Sequence, residues 1–269
     1  MLRRLNYLAL ATIIVWVGVA LAPRPAFGAQ KEGKVPTAEE IAETVILVFG
    51  GGVGRQRLST IQRNGVERGR LSRTNGDGRT EDITYERRFV RGETADKDKI
   101  RLDQKMPSME YSLVFNGGRV FGIVNGTTFT PRQEAVDKFL LPSRHGIDAL
   151  LRYKENGSTL NFVSKEKHKN IDTWVIELVD KEKVRTRYYI SAQRARVLWL
   201  EYEGNTPTGE TAKFKRTFHD YTYAQGTLVP YRTVLYADGK QEEQSNILTV
   251  SFGLKMDDSL FQNTDAAAN

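Results

Sequence analysis

Three histidines, His145, His168 and His219, are the only imidazoles in the chain. They fall in separate segments with no i, i+4 pair and no carboxylate at metal-ligand spacing, a pattern that argues against a metal site. His219-Asp220 places an acid beside a base, but neighbours along a strand point to opposite faces, and no G-x-S-x-G elbow supplies a serine nucleophile. Gly50-Gly51-Gly52-Val53-Gly54 has the composition of a phosphate loop. It follows a helix-like segment and lacks the Gly-Lys-Ser/Thr ending, so it reads as a helix cap and turn. Asp257-Asp258 and Glu242-Glu243 sit in polar, turn-like stretches without the apolar surroundings that raise a carboxyl for acid catalysis. The absence of cysteine excludes disulfides, thiolate zinc sites, iron–sulfur clusters and a cysteine nucleophile. The sequence therefore points to a protein that is not an enzyme and carries no cofactor or metal. A hydrolase would require folding to gather a serine, a histidine and an acid from separate segments.

The N-terminus has the three parts of an export signal: Arg3 and Arg4, an apolar run from Leu8 to Leu21, and small residues at Ala26-Phe27-Gly28. Cleavage between Gly28 and Ala29 is expected, so that residues 1–28 are a removable signal. The alternative is a retained anchor, although the run of about 14 apolar residues falls short of the ~20 that span a bilayer. Lipoprotein processing needs a cysteine at the cleavage site, and there is none. Loss of Arg3, Arg4 and Arg24 with the signal leaves 37 basic against 33 acidic side chains, a formal +4. Much of the excess lies between Arg55 and Arg91, where ten arginines meet five acids and no lysine. That stretch reads either as solvated strand faces or as a surface for lipid phosphates or an acidic protein. Nucleic acid is not an expected partner for an exported protein.

Residues 29–36 form a polar leader, after which Thr37 and Glu40 have the spacing of a capping box. Ile41, Val45, Val48 and Phe49 recur on one helical face, and Gly50 to Gly52 end the helix. From Arg55 onward short apolar-alternating runs are punctuated by Asn64-Gly65, Asn75-Gly76, Asn116-Gly117, Asn125-Gly126, Asn156-Gly157 and Asp238-Gly239, the dipeptides of tight hairpins. Tyr111, Leu113 and Phe115 share one strand face. So do Trp174, Ile176 and Leu178; Leu198, Leu200 and Tyr202; and Leu248, Val250 and Phe252, with polar residues between them as in a sheet that has one wet face. Pro131 to Tyr153 returns to helical spacing, through Ala135, Val136, Phe139 and Leu140 and then, after Pro142, Ile147, Leu150 and Leu151. Two short helices split at Pro142 are expected, interrupting an antiparallel meander and covering its apolar face. The ~235 residues after the signal suffice for one such domain.

This order of elements, with Tyr188-Tyr189-Ile190-Ser191, the strand Val197 to Tyr202, Phe218-His219-Asp220-Tyr221 followed by Gly226 and Leu228-Val229-Pro230, and a terminal Asp257-Asp258-Ser259-Leu260-Phe261, resembles the bacterial outer-membrane lipoprotein-sorting superfamily of LolA-like lipoprotein carriers. The similarity runs from about Thr37 to Phe261. It implies a mainly β, α+β fold: an unclosed antiparallel β-barrel, or half-barrel, over residues 37–262, with an N-terminal helix, a helical lid insert and a disordered tail over 263–269. It further implies a monomeric periplasmic carrier or chaperone that shelters acyl chains of lipoproteins or lipids. The alternative is an envelope sensor that docks a protein partner through the Arg55 to Arg91 region.

Inward positions expected to line the cavity are Ile83, Tyr85, Phe89, Leu113, Phe115, Phe139, Leu140, Trp174, Ile176, Leu178, Leu198, Leu200, Leu248, Val250 and Phe252, although an ordinary core role suits the same residues. Arg87 falls between Tyr85 and Phe89 on the apolar side of its strand, where a lone charge is costly. A solvated edge strand would account for it.

Overall fold

Thr37 opens the first helix, α1 (Ala38–Phe49), through reciprocal bonds: Glu40 N–H donates to Thr37 Oγ1 at 3.1 Å, and Thr37 N–H donates to Glu40 Oε2 at 2.8 Å. The computed structural model describes residues 35–74, 78–107, 109–206 and 209–263. The expected signal with its Gly28–Ala29 cleavage point, the Asn75-Gly76 turn and all of the expected tail except Asn263 lie outside them. α1 buries Ala38, Ile41, Ala42, Val45, Ile46 and Phe49. The glycine run that follows is a close-packed turn into α2 (Arg55–Ile61). A Cβ on Gly51, at φ +59°, would stand 2.2 Å from the carbonyl oxygen of Gly226.

Thirteen strands form one antiparallel sheet. The first six are β1 (Asn64–Thr74), β2 (Thr80–Val90), β3 (Lys99–Lys105), β4 (Glu110–Asn116), β5 (Arg119–Val124) and β6 (Thr127–Phe129). Then come α3 (Gln133–His145) and α4 (Ile147–Leu151), followed by β7 (Thr159–His168), β8 (Ile171–Val179), β9 (Arg185–Ser191), β10 (Val197–Asn205), β11 (Thr211–Ala224), β12 (Thr227–Ala237) and β13 (Lys240–Phe252). In space the order is β6-β5-β4-β3-β2-β1-β13-β12-β11-β10-β9-β8-β7. Two meanders therefore meet at the β1–β13 ladder, and β6 and β7, consecutive in sequence, occupy opposite edges. Laid flat, twelve inter-strand spacings would part those edges by about 58 Å. The connection between them carries two helices that together rise about 27 Å; the sheet curls around them as an unclosed half-barrel, and they fill its hollow.

Turn chemistry explains most connections. Asn125-Gly126 and Asp238-Gly239 close hairpins with both residues at positive φ, as do Lys169-Asn170 and Gln225-Gly226, which carry no sequence signal as strong. The β4–β5 turn uses Gly117-Gly118. Two expected hairpins are corrected. Asn156-Gly157 lies in the passage from α4 to β7, and Asn64-Gly65 is the start of β1. Gly65 is there for close packing: its Cβ would lie 2.8 Å from Phe252 Cδ1 and 2.9 Å from Phe89 Cζ. Tyr85 similarly covers Gly69, and Phe129 covers Gly122, rings filling the space that a strand glycine leaves.

The expected helix break at Pro142 is also corrected. α3 continues through Pro142 to His145, and the chain breaks at Gly146. Proline removes the hydrogen bond to the carbonyl four residues back, that of Lys138. Lys138 is on the exposed side of the helix, where a freed carbonyl costs least because it is open to solvent. β2, expected as an edge strand to accommodate Arg87, is interior, between β1 and β3.

Gly65→Ala is expected to destabilise the fold by about 2 kcal/mol through overpacking against the two phenylalanines. In urea denaturation the midpoint falls while the slope stays unchanged.

Candidate functional site

Directly opposed residues in a ladder share a face, and the register assigns the helix-covered face strand by strand. One half lies under α1 and α4. There Ile176, Leu178, Tyr188, Ile190, Leu200, Phe214 and Leu235 pack with Ile46, Phe49 and Leu150, and Trp174 flanks them. The other half lies under α3. Phe89, Ile100, Leu113, Phe115, Val229 and Phe252 surround Phe139, with Leu140, Leu102, Tyr111, Val120, Tyr231, Ile247 and Val250 packed around them.

Most expected cavity positions thus belong to one of the two halves. Ile83 is buried opposite Leu71, outside both clusters. Tyr85 is held by polar contacts: its hydroxyl donates to Glu67 Oε1 at 2.7 Å and lies 3.1 Å from Ser245 Oγ. Two positions are corrected by β-bulges. The register slips at Leu198, so Val197 takes the core place beside Leu200. A second slip on β13, between its pairings with Arg68 and Gly69, turns Leu248 outward, 56% exposed, and Ile247 packs inward in its place. A bulge inverts the alternation beyond it, which a period-two reading cannot foresee. Ile100 and Leu102 were legible in the alternation Lys99-Ile-Arg-Leu-Asp103 but are absent from the expected set, as are Val229 and Tyr231 around Pro230.

The rim between α4, α1, α2 and the β2–β3 connection is ionic. Arg91 donates to Asp148 Oδ1 at 2.7 Å, and Arg152 donates to Asp98 Oδ2 at 2.7 Å and to the Gly92 carbonyl at 2.9 Å. Arg55 bridges Glu43 at 2.9 Å and Glu155 at 3.0 Å. Burial raises Glu43, but hydrogen bonds from Arg55, Lys154 and Tyr153 outweigh it and hold the carboxyl down at about 2. Asp148 likewise stays below the usual carboxylate range because Arg91, Arg87 and Arg152 overcome the opposing effect of burial. Arg87, which lies 5.0 Å over the Phe89 ring, thus belongs to this ionic rim. A cleft of about 550 Å³ opens beside it, lined by Arg55, Arg63, Arg91, Arg152, Leu58 and Leu151. The ten arginines of the Arg55 to Arg91 stretch are distributed over the rim, the covered face and the outer face. There, for example, Arg68 and Arg88 pair with Glu86.

The C-terminal end of α3 is anchored by His145. Its ring stacks on Tyr202 at 3.9 Å, and Nδ1 lies 2.7 Å from Thr186 Oγ1. Burial, reinforced by Arg144 and Arg216, lowers its pKa to about 3. His219 contacts Thr217, whereas Asp220 pairs with Arg232, so the two do not act together. Among the described residues no group of three or more potential ligands is placed to hold a metal ion, and no helix is long and apolar enough to cross a membrane.

No family model matches the sequence, and no curated protein matches it. Solved structures do. The fold is similar to that of a LolA superfamily protein from Nitrosomonas europaea, at TM-score 0.57 and 10% identity, over 85% of this chain and 98% of that one. It is also similar to a DUF1329 family protein from Desulfovibrio piger, at TM-score 0.59 and 9% identity with the same coverage. The chain therefore has the LolA-like half-barrel fold.

His145 gives a pH dependence with a definite sign. The unfolded chain takes up its proton near pH 6.5, whereas the folded chain refuses it down to about 3. Acidification through that interval therefore favours unfolding, by up to ~1.4 kcal/mol per pH unit. Urea midpoints between about pH 6.5 and 5, above the range where ordinary carboxylates titrate, are expected to fall steadily. His145→Gln flattens the profile and leaves a smaller slope from His219, which burial and Arg232 also lower.

Proposed function

We propose that the protein is a periplasmic carrier or binder of acylated or amphipathic molecules, such as lipidated proteins or lipids, whose apolar part is held non-covalently beneath α3. The observation that carries this reading is the contrast between the covering helices. α1 inserts six buried residues, and α4 is pinned by paired arginines and buries four of its five residues. α3 buries only Phe139 and His145 of its thirteen residues, yet it covers a wide face of aromatic and aliphatic side chains. Lifting Phe139 costs about 3–5 kcal/mol, by the measure of Phe→Ala substitutions in cores. An acyl chain of about 15 methylenes at ~0.8 kcal/mol each offers roughly 12 kcal/mol gross in exchange. Enough remains to meet the entropy of association.

The half-barrel fold shared with a LolA superfamily protein supports this reading, as does the export-like N-terminus. The dispersal and pairing of the Arg55 to Arg91 arginines favour binding beneath α3 over docking through that stretch. The apolar positions on the α3 half are the binding residues of choice, with Phe139 and Leu140 as the part that moves.

A pyrene-labelled hexadecanol probe tests the reading. Its emission is expected to rise saturably with the purified protein, and Leu102→Glu or Val250→Glu, each at a half-buried position on the α3 half, weakens uptake at least tenfold while the thermal melt persists. Absence of uptake by the unmodified protein, together with a bare mass in native mass spectrometry of material from the envelope fraction, would overturn it.

A further inference from the structure

The covered face beside the C-terminal end of α3 is not apolar throughout. Arg216 on β11 stands opposite Leu200 on β10 and Leu235 on β12, so its guanidinium lies on the covered face. Leu235 in turn opposes Glu243, and Glu243 opposes Arg73. Arg73 donates to Glu243 Oε2 at 3.2 Å, whereas Arg216 approaches Oε1 only to 3.9 Å. The Arg216 side chain is 15% exposed, and that distant oxygen is its ion-pair partner. Next to it Tyr202, 5% exposed, is stacked between His145 and Phe214 at 3.9 and 5.2 Å. Among the described residues the Tyr202 hydroxyl is buried without a hydrogen-bond partner, and Arg216 and Glu243 both act on it electrostatically. α3 spans this strip: Glu134 near its start lies in the field of Arg73, and His145 at its end lies in that of Arg216.

Leaving a tyrosine hydroxyl withdrawn from water without a partner is unfavourable, and the guanidinium on the neighbouring strand presents five donors and makes no more than a distant contact to Glu243. A single acceptor group between the two takes the hydroxyl's hydrogen bond and pairs with the guanidinium. An alkyl chain brings no such group; a carboxylate or phosphate does, with the strength of charge-assisted bonds. Glu243, engaged mainly by Arg73, does not fill the place.

We infer that Arg216 and Tyr202 form the seat for the acidic head, carboxylate or phosphate, of an amphiphile whose tail lies on the apolar face beneath α3. This rests on the binding function proposed above and narrows it to acid-headed ligands.

Competition against the pyrene probe separates the possibilities with ligands that share one tail: palmitate, hexadecyl phosphate and hexadecanol, with inorganic phosphate as the tailless control. The two acids are expected to displace the probe at about tenfold lower concentration than the alcohol, the scale of a charge-assisted hydrogen bond. Inorganic phosphate is expected to displace nothing and leave the melting temperature unchanged. Tyr202→Phe keeps the ring stack and removes only the orphan hydroxyl. It is expected to melt at an equal or higher temperature without ligand and yet to lose most of the preference for acids, as is Arg216→Gln, with Arg216→Lys retaining part of it. Equal displacement by acids and alcohol, or a preference that persists in Tyr202→Phe and Arg216→Gln, overturns the head-group seat while leaving the apolar carrier. A melting shift by inorganic phosphate alone reassigns the pair to a free anion and overturns the amphiphile. Failure of all three tailed ligands removes the carrier reading, and this inference with it.

Discussion

The antiparallel ladder between β1 and β13 joins two meanders that run away from each other, and this leaves the ends of β6 and β7 at opposite edges of thirteen strands. The chain between them has to cross the sheet. α3 and α4 lie on this crossing, the sheet curls around them, and they become the contents of its hollow. The covered apolar face, the lid and the ionic rim all follow from that one pairing. Its register is held where Phe89 and Phe252 close over Gly65, a contact that a side chain at Gly65 would push apart.

The two crossing helices are held by different forces. α4 is tied by Arg91–Asp148 and by Arg152–Asp98, in which both arginine side chains are 12% exposed. Ion pairs that are partly withdrawn from water are strongly disfavoured when one partner is removed, so these contacts fix α4 in register against α1 and the β2–β3 connection. α3 is held by one inserted phenylalanine, by the stack of His145 on Tyr202 and by pairs of the exposed Arg144 with Glu182 and Asp180. Gly146 lies between them, where the chain changes direction. Rigidity on one side of this glycine and a thin apolar contact on the other divide the insert into an anchor and a cover.

The covered face is itself divided. Its α1 half is a conventional core, closed by a helix with six buried residues. Its α3 half is made of aromatic and aliphatic rows, and a polar strip of Arg73, Glu243, Arg216, Tyr85 and Glu67 faces the same hollow. Buried polar groups are stabilising only when fully partnered. Here Tyr85 and Glu67 satisfy each other, whereas the Tyr202 hydroxyl has no partner among the described residues. An apolar hollow with polar groups at a few fixed points is the usual composition of a site for amphipathic molecules.

How much of this was legible beforehand follows from the range of the interactions concerned. The capping box at Thr37 and Glu40, the glycine stop after Phe49, the Asn125-Gly126 and Asp238-Gly239 hairpins and the alternation along Trp174, Ile176 and Leu178 are set by neighbours a few residues apart, and the sequence alone determined them. With the spacing of elements they were enough to indicate an antiparallel half-barrel with a helical insert. What the tertiary structure decided depends on contacts between distant segments. The pairing of β2 with both β1 and β3 made it interior, and the packing of α4 beside it brought Arg87 to the rim. The bulges at Leu198 and Leu248 exchanged inward for outward positions, and the covering rings made Gly65 a strand residue instead of a turn. The meeting of Arg216, Tyr202, Glu243 and His145 joins β11, β10, β13 and α3, and no local pattern encodes it, because the burial of these side chains and the unpartnered Tyr202 hydroxyl exist only once the sheet has curled around the helix.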